Sequence, residues 1–272
     1  MAISKPNGLR VGLFGAGRVA SALAPALLAA GHQLAFVASR RLEPAQALAA
    51  GLPGCLALPQ AAALAAPPPA DVYLLAVPDA AVPELLAAGA WPTGALLAHV
   101  AGALPLAVFA ARPQVRGGVL YPLQTFSPGR RIDWPSVPLF VEAAAPGAEA
   151  TLLALARSLS QRVALLGSAE RLRLHLGAVW ASNFTNHLVG VAQQLLAEAG
   201  LPFELLHPLV RETVDKALAA RPSAYVVQTG PAVRHDAATL AAHEAALAAH
   251  PAWQALYGQL TASIQAAAGT LG

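Results

Sequence analysis

The 272-residue chain has a single cysteine, Cys55, and only two lysines, Lys5 and Lys216, and just 11% of its residues are charged. One cysteine cannot form an intrachain disulfide, which fits a reducing compartment and predicts a cytoplasmic protein. The arginines never run beyond two together, as at Arg40-Arg41 and Arg130-Arg131, and the net charge is only +3. The basic stripe of a nucleic-acid binder is therefore missing. Ligand clusters for a metal are missing too. His243 and His250 share a helical face without carboxylate or thiol company, so no metal site is expected. Although 56% of residues are hydrophobic, long unbroken apolar runs are absent. The uncharged stretch 85–111 is interrupted by Trp91-Pro92-Thr93-Gly94 and Pro105. A membrane span needs about 20 mainly apolar residues, so no membrane role is expected. The first ten residues lack the apolar core of a secretory leader. Neither a G-x-S-x-G elbow nor a Walker A lysine is present, which excludes the corresponding hydrolase and P-loop chemistries.

What the chain has is alternation. The runs RVGLFG, QLAFVAS, DVYLLAV and GALLAHVAG read as buried strands, with CLAL as a weaker one. Alanine-rich stretches with leucine at helical spacing lie between them. GGVLYPLQTF, VPLFVEA and RVALLG extend the series toward a far sheet edge. Such alternation implies a mainly parallel sheet covered on both faces, an α/β doubly wound fold. After Gly167 strand signals vanish and helical periods dominate. The expected organisation is a nucleotide-binding domain over 1–167 and an all-helical substrate and dimerisation domain over 168–272.

The first strand runs into G-x-G-x-x-A at Gly15, Gly17 and Ala20, with Ala16, Arg18 and Val19 between them. Gly15 allows the tight turn, Gly17 lets backbone approach a pyrophosphate, and Ala20 permits close helix–strand packing. The helix that follows offers free N–H groups and the positive end of its dipole. The second strand ends at Ser39, Arg40 and Arg41. An acidic residue there would bond the ribose 2′-OH of NAD, whereas arginine meets a 2′-phosphate. NADP is thus the expected cofactor, the alternative being two solvated arginines at a helix start. Later strand tips, Ala76-Val77-Pro78 and His99-Val100-Ala101, should line the same crevice. His99 reads equally as a site residue or as a hydrogen-bonded structural one.

Further blocks occur in one order: H-x-x-G at His99–Gly102, PLQTF at 122–126, ASNF at 181–184 and TGPAVRHD at 229–236. Together with the glycine turn, over nearly the whole chain, they resemble the Rossmann-like oxidoreductases with a C-terminal domain of unknown function, type 2520. These are similar to pyrroline-5-carboxylate reductase, deazaflavin-dependent NADP reductases and β-hydroxyacid dehydrogenases. The resemblance implies a helical C-terminal domain that often dimerises and a substrate cleft between the domains. It brings two departures. The residue before PLQTF is often His in such proteins and is Tyr121 here. The catalytic lysine of the β-hydroxyacid dehydrogenase helix, aligned on Asn183, falls at Val179.

That helix, starting near His175, is unusual in itself. Leu176, Trp180, Phe184, Leu188, Val191 and Leu195 fall on one face at 100° per residue. His175, Ser182, Asn186 and Gln193 lie opposite, with Asn183 and His187 on the flank and no charge among them. The stripe reads as a cleft wall in which Asn183 holds substrate and His187 shuttles a proton, or else as a subunit interface. Gln124 and Thr125 can donate to a substrate carbonyl, and Arg234 can clamp a carboxylate. Asp236 pairs with His235 as acid and base, or caps a helix. Tyr121 is a possible acid that reads first as a core aromatic.

The expected function is an NADP-dependent oxidoreductase that moves hydride to or from a small carbonyl, imine or hydroxy-acid substrate. Asn183, His99 and His187 are the candidate catalytic residues. The alternatives are a non-catalytic dimeric NADP-binding sensor and an NADPH–deazaflavin oxidoreductase. The expected partners are a small-molecule substrate and a second copy of the chain, because a layer of helices has two apolar sides to bury.

Overall fold

The computed structural model describes residues 8–269. The chain forms two compact units, divided between Asn183 and Phe184.

The first unit is built on eight strands: β1 (Arg10–Phe14), β2 (Gln33–Ser39), β3 (Leu56–Pro59), β4 (Val72–Leu75), β5 (Leu96–His99), β6 (Arg116–Pro122), β7 (Leu139–Ala143) and β8 (Val163–Leu165). They form one sheet in the order β3-β2-β1-β4-β5-β6-β7-β8. Every neighbouring pair is parallel except β6 and β7, which pair antiparallel with Tyr121 opposite Phe140. The sheet is thus mainly parallel and doubly wound, with α1 (Arg18–Ala29), α2 (Leu42–Ala49), α3 (Gln60–Ala65), α4 (Val82–Ala88) and α5 (Pro146–Leu159) packed on it.

Two buried layers explain why the strand sequences are apolar throughout rather than alternating. Along β1, Val11 and Leu13 join Leu23 and Leu27 of α1 and Leu152 and Leu155 of α5 on one face. Phe14 joins Phe36, Tyr73, Leu85 of α4 and Trp91 on the other. The Phe14 ring meets Phe36 and Trp91 edge-on, with centroids 5.3 and 5.2 Å away. That geometry adds to the gain from buried area. The edge strands β3 and β8 leave Leu56 and Leu165 exposed. Their weak sequence signal follows from this, because an edge strand has fewer neighbours to select for apolar residues.

The strand order reverses between β1 and β4. Chain crossing to opposite faces at this point opens a crevice beyond the carboxyl ends of these strands, where ligands of open α/β sheets bind.

From Ser168 to Glu198 the chain is helical throughout, but not as one regular helix. α6 (Ser168–Ala178) is followed by π-helical turns over Val179–Phe184 and then by α7 (Thr185–Glu198). The π turns overturn the face assignment made at 100° per residue, because each residue there advances less around the axis. The apolar row does not enter a core of this chain either: Leu176 is 56% and Trp180 61% exposed.

The second unit continues with α8 (His207–Ala219), α9 (Ala237–Ala246) and α10 (Pro251–Gly269). Of its described residues only Ala232 and Leu247 are buried, while Leu201, Leu205, Leu209 and Leu218 are exposed. Among the described residues no helix is long and apolar enough to cross a membrane.

Candidate active site

The site begins at the end of β1. Gly15 has a positive φ of 111°, and its N–H donates to the Ala38 carbonyl at 2.7 Å. A Cβ there would lie 2.2 Å from the carbonyl oxygen of Ala76, the residue just beyond β4. Glycine is thus required twice, by the backbone conformation and by the neighbouring strand end. Gly17 is different. A Cβ on it would meet nothing within 4 Å, and as N-cap of α1 it leaves the first-turn N–H groups without a side-chain cap. Open space beside uncapped N–H groups and a helix dipole fits the phosphates of a dinucleotide. Ala20, one turn on, is fully buried against the sheet.

One hollow lies on this turn and another beyond the ends of β2 and β4. One, of about 410 Å³, is lined by Ala16, Gly17, Arg18 and Ser21 and by the loop Phe126–Ile132, which brings Arg130. The other, of about 160 Å³, is lined by Arg40, Gln60, Val77, Pro78 and Glu84. Arg40 and Arg41 are exposed, while Ser39, Val19, Ala76, Val77 and Val100 are half-buried and Ala101 is buried.

A third hollow, of about 440 Å³, opens at the end of β6. Its polar lining is Tyr121, Gln124, Thr125, His175, Ser182 and Asn183, and Val179 lines it as well. All belong to the first unit. The structure thus brings together Gln124, Thr125 and Asn183, three of the residues expected to hold substrate. Gln124 is exposed, and its Oε1 accepts from the Thr125 N–H at 2.7 Å. The π turns explain the rest: they widen the helix so that Ala181, Ser182 and Asn183 all reach the same wall.

Within this hollow the Tyr121 hydroxyl lies 3.0 Å from His175 Nδ1, with the two rings edge-on. Tyr121 is buried, and burial pushes its phenol above the ordinary tyrosine value, partly countered by Arg171. Gly102 makes room for the pair, because a Cβ on it would lie 2.4 Å from His175 Nδ1 and 3.0 Å from the Tyr121 ring. Sequence reasoning missed this pair, since 54 residues separate its members. The available signal was Gly102, the last residue of the H-x-x-G block.

An ion pair between buried Arg171 and half-buried Glu142 lies at the start of α6. The Arg171 guanidinium, 1% exposed, donates to Glu142 on β7 and to the Leu104 carbonyl. Ser168 donates to the same carboxylate at 2.8 Å. Glu142, Arg171 and Ser168 together fix the start of α6 against the sheet, and His175 stands one turn beyond Arg171.

His99 requires a correction. Its side chain is fully buried, stacks on Phe109 at 5.9 Å, and accepts at Nδ1 from the Ala101 N–H. Burial, reinforced by Arg171, pulls its pKa down to about 4, so it is neutral. A side chain without surface cannot touch substrate or cofactor, and the expected catalytic role is withdrawn in favour of the structural one. His187 and Arg234 are exposed residues of the second unit. Asp236 caps α9, accepting from the Thr239 N–H at 3.1 Å and hydroxyl at 2.8 Å. Its carboxylate is occupied as a cap, which displaces the reading as an acid/base partner of His235.

A doubly wound sheet with a glycine turn at its point of strand reversal is the fold of Rossmann-type oxidoreductases. Comparison with known proteins makes this specific. A Rossmann-like domain matches residues 2–124, and a domain of unknown function, DUF2520, matches residues 137–264. A protein of Bacteroides fragilis, named provisionally as an NADP oxidoreductase, is 38% identical over 95% of this chain and 98% of its own, with a TM-score of 0.86. The chain belongs to this family of Rossmann-like proteins with a DUF2520 domain. A reductive aminase of Aspergillus terreus, solved with NADPH and ethyl-5-oxohexanoate, shares the fold at 19% identity and a TM-score of 0.66, over 97% of this chain and 93% of its own. A 1-pyrroline-5-carboxylate reductase of Streptococcus pyogenes does so at 13% identity and a TM-score of 0.59, over 96% and 100%. No curated protein matches the chain.

Proposed function

We propose that this protein is an NADP-dependent reductase of small carbonyl or imine compounds, with the substrate seated in the hollow between Tyr121 and Asn183. The observation that carries the reading is that hollow: of small-molecule size, mainly apolar with six polar side chains and no carboxylate, guanidinium or ammonium in its lining, and at the carboxyl end of β6, on the same edge of the sheet as the glycine turn after β1. The open space at Gly17 and the uncapped start of α1 would hold the phosphates of the dinucleotide. Arg40 and Arg41 would meet its 2′-phosphate, a contact NADH cannot make. When bound, the reduced nicotinamide supplies the hydride. The chain supplies orientation: the Asn183 amide and the Thr125 hydroxyl can hold a substrate carbonyl or an amide of the cofactor. Reductases among the structural neighbours support the reading, two of them solved with NADPH and a keto ester.

Val179 lines the hollow where a β-hydroxyacid dehydrogenase would carry its lysine. No ammonium acts there, and this one observation favours a non-catalytic NADP-binding protein as the second reading. The exposed leucines of the second unit support a homodimer, since two buried residues are no core for a helical layer.

Fluorescence titration with NADPH and NADH tests the proposal. Tight binding of NADPH, binding of NADH weaker by at least tenfold, and loss of that preference in Arg40→Ala/Arg41→Ala are expected. Binding of neither nucleotide would overturn the reading.

A further inference from the structure

Reduction of a C=O or C=N bond needs a proton as well as a hydride, and Val179 stands where the β-hydroxyacid dehydrogenase helix carries its lysine. Only two side chains lining the hollow, Tyr121 and His175, belong to the residue types that serve as general acids or bases. They are also the two joined by the 3.0 Å contact from phenol oxygen to Nδ1. We infer that Tyr121 is the proton donor of this site and that His175 reprotonates it. The inference rests on the reductase reading above.

The pieces fit the chemistry. Tyr121 lines the hollow near the end of β6, with its hydroxyl against His175 Nδ1 and its ring between Phe140 at 6.4 Å and His175 at 5.9 Å. Burial keeps the phenol protonated across the neutral range, so it is an acid with a proton to give. The charged groups that act on it come from three elements. Arg171 of α6 favours the phenolate that forms on donation, Asp79 beyond β4 opposes it, and Glu142 of β7 is paired with Arg171. His175 is half-buried, with Nδ1 toward Tyr121, and Gly102 leaves the space in which the two rings meet.

The step balances. The substrate carbon gains the hydride that the nicotinamide supplies, and the π pair moves onto the oxygen or nitrogen. That atom takes the proton of Tyr121 Oη. The phenolate regains a proton from His175 Nδ1–H as Nε2 takes one from solvent, so the imidazole relays the proton and ends as its other neutral tautomer. The products are the alcohol or amine and oxidised NADP.

The test uses the full-length protein with NADPH and two probes, the keto ester ethyl levulinate and the cyclic imine 1-pyrroline. Tyr121→Phe keeps the ring and removes only the hydroxyl. It should leave the Kd for NADPH within twofold and lower kcat about 100-fold. His175→Asn should also keep NADPH affinity, lower kcat at least tenfold, and shift the alkaline limb of the kcat profile, which a merely structural role would not move. Turnover by Tyr121→Phe at the wild-type rate, with an unchanged pH profile, would overturn the inference while leaving the reductase reading intact. A wild type that binds NADPH but reduces neither probe would overturn both.

Discussion

A Cβ on Gly15 would collide with the carbonyl of Ala76, at 2.2 Å, whereas one on Gly17, two residues on, would meet nothing. The two glycines of the turn therefore serve different ends, one the fold and one the ligand. Gly15→Ala must adopt a positive φ and displace the end of β4, at a cost of about 2 kcal/mol or more. It should lower Tm clearly. Gly17→Ala should leave Tm nearly unchanged and still weaken NADPH binding at least tenfold, because its methyl takes up the space beside the α1 N–H groups. Thermal melts and NADPH titrations on both variants separate the two effects.

Arg171 is 1% and its partner Glu142 19% exposed, and a carboxylate that is mostly out of water is costly to leave without its cation. Arg171→Met should destabilise the protein by about 3 kcal/mol in urea unfolding. Adding Glu142→Gln should recover part of the loss, since the unpaired carboxylate is then removed. Equal stability of the single and double variants would show that the charge is not the cause.

Acid should destabilise the protein through His99. Its pKa in the folded state is about 4, against 6.5 for the unfolded chain, so the folded state binds protons less readily. The sign follows: its contribution is fully present above pH 6.5 and is lost as pH falls from 6.5 toward 4. The total is about 3 kcal/mol. Asn at this position can accept from the Ala101 N–H without titrating. His99→Asn should therefore lose less stability than the wild type between pH 7 and pH 4.5, measured by chemical denaturation.

Asn183 lines the hollow on an exposed π turn and has no core role. Asn183→Ala should leave Tm within about 1 °C of wild type, as exposed substitutions change stability little. It should raise KM for the probe substrate about tenfold without altering NADPH affinity. Parallel titration and steady-state kinetics check this.

The second unit should find its missing core in another copy. Sedimentation equilibrium should return twice the 27.6 kDa chain mass. Leu209 and Leu218 of α8 are 62% and 73% exposed. Leu209→Asp/Leu218→Asp should shift the protein toward monomer, and a wild type that sediments as a monomer would remove the dimer from the proposal.

Much of this protein is local in origin and was legible as such. Strand–helix alternation, the G-x-G-x-x-A turn and the arginines after β2 are short-range patterns, since a buried parallel strand, a tight turn and a helix start each impose demands on adjacent residues. Asn183 was also marked by local oddity, a neutral polar group on a helix face where charge or apolarity is the rule, and Gln124 and Thr125 by their place at the end of a strand. What only the tertiary structure decided is which distant groups meet. Strand order placed Tyr121 beside His175 across 54 residues and sank His99 out of reach. It also turned an ordinary-looking Arg171 into a buried ion with Glu142 on β7. The π turns after α6 lie beyond a 3.6-residue period as well. Burial and pairing depend on neighbours contributed by other elements, and a residue's own flanking sequence does not record them.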